Sequence, residues 1–228
     1  MIFYCILIPV IISITFLSKN GGTTSGIEFA TMIFLFVLGL SFNKENFYFA
    51  QANNIPRVDY FKSLAIAIFP IALGMAIIDV ILNRVYNIFA SGPTMYDMSY
   101  NNFTGAPLNM EVWIQSNSMQ TIFGTVTFLF SFYIAAFAIG LLITLIYYKC
   151  NRTMKILVSL SPLVIQVILG IVAYNSPGLA EKTGTFFMNI LGLNTKNSYM
   201  AVMTFICLFI VSMCFVYMLV RRAVVKRV

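Results

Sequence analysis

Residues Leu64–Leu82 read LAIAIFPIALGMAIIDVIL. Up to Asp79 the stretch has no charge, and it is about the length that carries a helix across the roughly 30 Å hydrocarbon layer of a bilayer. Pro70 and Gly74 predict a bend, not an end, because neighbouring helices can satisfy the backbone groups a proline frees. The rest of the chain reads the same way. Of its 228 residues, 60% are hydrophobic and 9% charged, and Phe occurs 22 times. Soluble domains carry about 25% charge, so the composition excludes one and predicts an integral membrane protein.

Working outward from Leu64–Leu82, comparable runs predict an all-α polytopic membrane protein, one transmembrane domain over 1–228 with six spans. These are placed at about 1–17, 23–42, 64–82, 119–148, 156–174 and 199–220. The first run lacks the basic start and small-residue cleavage site of a signal peptide and reads as a span kinked at Pro9. Three connections are substantial: 43–63, 83–118 and 175–198. Within the second, Trp113 suits a membrane interface, and Asn102-Phe-Thr matches a glycosylation sequon, a weak signal. Within the third, Thr185–Leu193 reads as a short interfacial helix.

Basic residues orient the chain. With the N-terminus inside, Lys44, Arg57, Lys62, Lys149, Arg152, Lys155, Arg221, Arg222, Lys226 and Arg227 all face the cytoplasm, ten against four outside (Lys19, Arg84, Lys182, Lys196). Excess Lys and Arg in short loops marks the cytoplasmic face, so both termini and 43–63 are expected inside, with 83–118 and 175–198 outside. The net charge of +7 is thus a membrane-anchoring charge, and no nucleic-acid partner is expected.

The chain carries no evident catalytic chemistry. It has no histidine, which removes the commonest metal ligand and general base, and no GxxxxGK[ST] loop for ATP. Cys5, Cys150, Cys207 and Cys214 include no CxxC pair and read as small apolar fillers. Glu28, Glu45, Asp59, Asp79, Asp97, Glu111 and Glu181 are expected to form no close pair inside the bilayer. Glu28 is expected at a hydrated interface, and Asp79 beside Arg84 at headgroup level. Gly170 is a candidate for close helix contact. No catalytic, cofactor or metal residue is assigned, and the chain is not expected to be an enzyme.

The segment NFYFAQANNIPRVDYFKS, Asn46–Ser63, is too short for a domain and too long for a turn. Phe47, Phe49, Ile55, Val58, Tyr60 and Phe61 make it apolar enough to bury a face. Asn53 or Asn54 can cap a helix, and Pro56 fits a first turn. The expected shape is an amphipathic piece, a turn at Asn53-Asn54, then a helix through Tyr60 into the next span. Such a piece either rests on lipid or docks a partner.

Here the chain resembles the membrane (permease) subunit of bacterial ABC-2-type exporters, Gram-positive type. The likeness rests on the expected six spans with both ends inside, on the polar external connection after the third, and on Asn53-Asn54-Ile55-Pro56-Arg57-Val58-Asp59-Tyr60-Phe61-Lys62. In that family the last element often resembles N-G-x-S-R-x-x-F and forms a coupling helix seated in the ATPase subunit. The resemblance implies an ABC-2-type exporter fold in a bacterial cell membrane and an ATPase contact at Ile55, Arg57, Tyr60 and Phe61. It also implies two cytoplasmic ABC ATPase subunits, which bind the ATP and Mg2+, and a second membrane subunit, identical or related. Membrane lipids are the remaining partner, and this chain binds no cofactor. The few polar side chains in the spans favour amphipathic peptides or another lipid-like cargo. The alternative is an ion-coupled transporter or intramembrane enzyme, which would need an ionisable group within a span.

Overall fold

The computed structural model describes residues 2–17, 26–41, 49–50, 52–89, 92–100 and 115–221. Expectations for Lys19, Lys44, Glu45, Phe47, Asn102, Glu111, Trp113, Arg222, Lys226 and Arg227 lie outside the described residues. The described chain is all helical: α1 (Ile2–Leu17), α2 (Ile27–Ser41), α3 (Arg57–Phe89), α4 (Met95–Tyr100), α5 (Met119–Lys149), α6 (Arg152–Asn175), α7 (Pro177–Ile190) and α8 (Ser198–Arg221).

Among the described residues, four helices and not six are long and apolar enough to cross a membrane: α3, α5, α6 from Thr153, and α8. The six-span, ABC-2-type fold expectation is corrected here. α1 and α2 are apolar but have only 16 and 15 residues. At 1.5 Å per residue these described lengths are about 24 and 22 Å, short of a bilayer core of about 30 Å. Gly26, at φ 92°, sets the start of α2 in a backbone conformation that ends a helix.

The described contacts sort into two ends. At one, here the basic end, Arg57 Nη1 donates to the Arg221 carbonyl at 3.2 Å, joining the start of α3 to the finish of α8. Thr144 of α5 donates to the Leu40 carbonyl of α2 at 2.7 Å, and Tyr147 meets Ser159 across the α5–α6 turn. At the opposite end, Tyr100 of α4 donates to the Leu191 carbonyl at 2.7 Å. Burial pushes the Tyr100 phenol up to about 12, with Tyr96 adding to the effect, so it remains a donor at neutral pH.

α5 is the central helix. It carries the most buried residues, and its most extensive contacts are with α2 and α8. Ser118 caps its start, accepting from the Thr121 amide at 3.2 Å; such a cap contributes about 1 kcal/mol. The α2–α5 crossing is a backbone contact. A Cβ on Gly140 would strike the Phe36 carbonyl oxygen, and one on Gly39 the Phe137 carbonyl oxygen. Small residues permit this approach between membrane helices. Gly170, the expected contact glycine, has nothing within 4 Å of where its Cβ would stand.

α6 contrasts with α5. No residue in the bilayer-length stretch of α6 is buried, and its main neighbour among the described helices is the short α7. In water such a helix would be unstable; in lipid its Ile, Leu and Val residues are at home, apart from Gln166.

Candidate functional site

α3 is a single 33-residue helix with Pro70 inside it. It spans about 50 Å, more than a bilayer core, so its ends project. Three polar residues of its far half, Asp79, Asn83 and Asn87, stand at every fourth position, with Arg84 off that register. On a helix that spacing makes one stripe, and the stripe faces the protein. Asp79 is 1% exposed and Asn83 3%.

Asp79 is where four helices meet. Its Oδ1 accepts from the Tyr4 hydroxyl of α1 at 2.9 Å and from Thr31 Oγ1 of α2 at 3.2 Å. Its Oδ2 accepts from the Tyr133 hydroxyl of α5 at 2.5 Å. Tyr4 also lies 3.3 Å from the Met75 carbonyl, one turn earlier on α3. A carboxylate has about four acceptor positions, and here three hydroxyls occupy it. Without them, a buried charge costs several kcal/mol. The expected Asp79–Arg84 pairing does not form; Arg84 Nη1 donates to the Ser116 carbonyl at 3.0 Å and Asn117 Oδ1 at 3.1 Å.

The Tyr4 contact also corrects the expected path of the N-terminal run. A first span rising from the basic end would leave Tyr4 beside Arg57, about 33 Å from Asp79 along α3. The structure instead sets the first turn of α1 against Asp79, because the phenol satisfies a buried carboxylate there.

Glu28 lies one turn before Thr31 on the same face of α2, and it is not at a hydrated interface: it is 2% exposed. Neither carboxylate oxygen has a hydrogen-bond partner. The backbone amides of Glu28 and Met95 approach it without reaching hydrogen-bond geometry. Asp79 and Asp97 are close enough to repel its charge. Glu28 is thus buried and under the influence of two further carboxylates, where a hydrated interface was expected.

A polar cap closes over this site. Asn83 donates to the Gly92 carbonyl at 2.9 Å and accepts from Asn87 at 3.0 Å and Gln115 at 2.8 Å. Thr94 and Asp97 bond reciprocally at the start of α4, with Thr94 Oγ1 2.8 Å from Asp97 Oδ2 and the Asp97 amide 3.0 Å from Thr94 Oγ1. Among the described residues, no group of three His, Cys, Asp or Glu side chains is arranged to hold a metal ion.

At the basic end, the four residues expected to touch an ATPase separate into two kinds. Ile55 is exposed and Arg57 half-buried against α8. Tyr60 is 6% exposed, and Phe61 packs on Tyr217 of α8 with ring centres 5.2 Å apart. The outward apolar surface is instead Phe49, Ile55 and Val58. Asn54, at φ 55°, ends the preceding helical turn, with the Ile55 amide donating to the Ala50 carbonyl at 2.9 Å; this is the six-to-one bond of a helix stop. Asn54 thus closes one helix and does not cap the next. The Pro56 carbonyl accepts from the Tyr60 amide at 3.0 Å and opens α3.

Compared with known proteins, the chain matches no family model, no curated protein and no solved structure. What stands is an all-α, multi-span membrane protein with a buried carboxylate network toward one end and an exposed apolar surface at the basic end.

Proposed function

We propose that this chain is the transmembrane subunit of an exporter driven by separate ABC ATPase subunits, in a bacterial cell membrane with its basic end toward the cytoplasm. The observation that carries this reading is the continuity of α3. The knob at Phe49–Val58 leads directly into a 33-residue helix that ends beyond Asp79. A push on the knob therefore reaches the carboxylate network through one stiff element, with Tyr60 and Phe61 as its buttress against the bundle. ATP and Mg2+ belong to the ATPase, and Ile55 and Arg57, with Val58 and Phe49, form the contact.

α6 supports the second membrane subunit. Gln166 lies midway along this exposed helix, and an amide facing hydrocarbon lacks hydrogen-bond partners. A second copy offers the same amide, and a carboxamide both donates and accepts. The cargo reading remains an amphipathic peptide or lipid-like molecule, because the apolar faces of α6 and α8 offer few polar partners to a bare solute.

The test is retention of a co-expressed ABC ATPase, one that wild type retains, on purified Ile55→Asp and Val58→Asp variants. Both positions are exposed, so insertion and folding should persist while the ATPase is lost. Full retention and full ATP-dependent export in both variants would remove the basis for the docking surface.

A further inference from the structure

Glu28 and Asp79 are two buried carboxylates in one polar site, and their surroundings differ in kind. Asp79 accepts three hydroxyl hydrogen bonds, from Tyr4, Thr31 and Tyr133. Glu28 accepts none, although both its oxygens are sealed from solvent. An ionised carboxylate in that position has lost water and gained no donor, which costs several kcal/mol. Asp79 and Asp97 add repulsion. A neutral carboxyl avoids the Born cost and both repulsions, leaving only the smaller penalty of a buried polar group.

The groups around Glu28 do not reverse this. α1 contributes the Tyr4 phenol and α5 the Tyr133 phenol, both turned to Asp79. α3 contributes Asp79 itself and Arg84, whose described bonds go to Ser116 and Asn117. α4 contributes Asp97, tied to Thr94, and the Met95 amide, which with the Glu28 amide favours the charged form but falls short of hydrogen-bond geometry. Each neighbouring carboxylate is acidic and each phenol is committed elsewhere. Among the described residues, no three His, Cys, Asp or Glu side chains converge on the site.

We propose that Glu28 and Asp79 form a proton-binding site in which Glu28 carries the proton and Asp79 remains the charged, hydroxyl-bonded carboxylate. The division follows from hydrogen bonding: protonating Asp79 would displace a hydroxyl donor, whereas protonating Glu28 displaces none. Glu28 sits on α2, Asp79 on α3 and Asp97 on α4. Any rearrangement that opens the cap or separates α2 from α3 hydrates Glu28 and releases its proton. The site therefore links proton release to helix movement at the end away from the knob. This inference does not depend on which machine drives the chain.

The experiment uses the full-length protein in liposomes. Infrared difference spectra between wild type and Glu28→Gln should show the loss of a neutral carboxyl C=O band at about pH 7. On raising the pH, wild type should convert that band to carboxylate, with the neutral fraction falling about tenfold per pH unit beyond the midpoint. Asp79→Asn removes a neighbouring like charge and should move the midpoint to lower pH, which a purely structural role for Asp79 would not do. In wild type alone, a lipid-soluble carbodiimide, which attacks protonated carboxyls, should modify Glu28 at about pH 6 and not at about pH 9. That arm stands even if Glu28→Gln fails to fold. A carboxylate band for Glu28 throughout, or a midpoint unmoved by Asp79→Asn, overturns the proposal. So does the absence of both the neutral band and the carbodiimide adduct at low pH.

Discussion

Replacing Tyr133 by Phe removes one oxygen from the centre of the bundle and leaves the ring in place. Tyr133 is fully enclosed and donates to Asp79 Oδ2. Tyr4 and Thr31 both serve Oδ1, so neither replaces the lost donor without rotating the carboxylate. A hydrogen bond to a charged group contributes about 1.5–3 kcal/mol, and Phe fits the same space, so the variant should lose about 2 kcal/mol. Tyr4→Phe should cost less, about 1 kcal/mol, because Thr31 still serves the same oxygen. The assay is reversible unfolding in mixed micelles, reading helix content against denaturing detergent. Asp79→Asn supplies the decisive comparison. If the phenol acts through the carboxylate's charge, the cost of Tyr133→Phe in an Asp79→Asn background should fall to about half, the size of a neutral hydrogen bond. Equal cost in both backgrounds would refute the reasoning, since the loss would then be one of packing. A Tyr133→Phe variant as stable as wild type would refute it more directly.

Two further outcomes follow from the packing. Gly140→Ala should destabilise the bundle by ~3 kcal/mol, the upper range for overpacking, because its Cβ meets the Phe36 carbonyl; Gly170→Ala, measured in the same micelles, should be near neutral. On α6, Gln166→Cys should form a disulfide between two copies in membranes under mild oxidation. Val164→Cys, on a different helix face, should not, and equal cross-linking at both would count against pairing through Gln166.

Membrane character was fully legible in the sequence, because hydropathy is a local property and bilayer thickness gives it a length. Span number was less so. The runs at 1–17 and 23–42 are as apolar as the others, but their described helices have 16 and 15 residues, and apolar content alone does not set helix length. The turn at Asn53–Asn54 was legible for a local reason: Asn tolerates a positive φ, and Pro56 cannot donate to a preceding turn. Which helix that turn belonged to was not, since a helix stop and a helix start draw on the same residues.

The carboxylate network was hidden for a different reason. Asp79 lies five residues from Arg84, and a local reading pairs opposite charges along one helix. The partners that matter are 48 to 75 residues away, and each is a hydroxyl, which carries no charge to attract attention. Two local signals did exist. Asp79, Asn83 and Asn87 repeat at i, i+4, i+8, placing three polar side chains on one face in the far half of α3. Glu28 and Thr31 repeat at i, i+3 on another. A polar stripe facing lipid would cost several kcal/mol per unsatisfied group, so each stripe must face protein, and two such stripes in one bundle favour facing each other. By that argument a carboxylate near the end of an apolar run is read first by the company it keeps on its own helix face, and only then by the nearest opposite charge. Applied to α6, the same rule isolates Gln166, the polar residue whose described surroundings supply no partner.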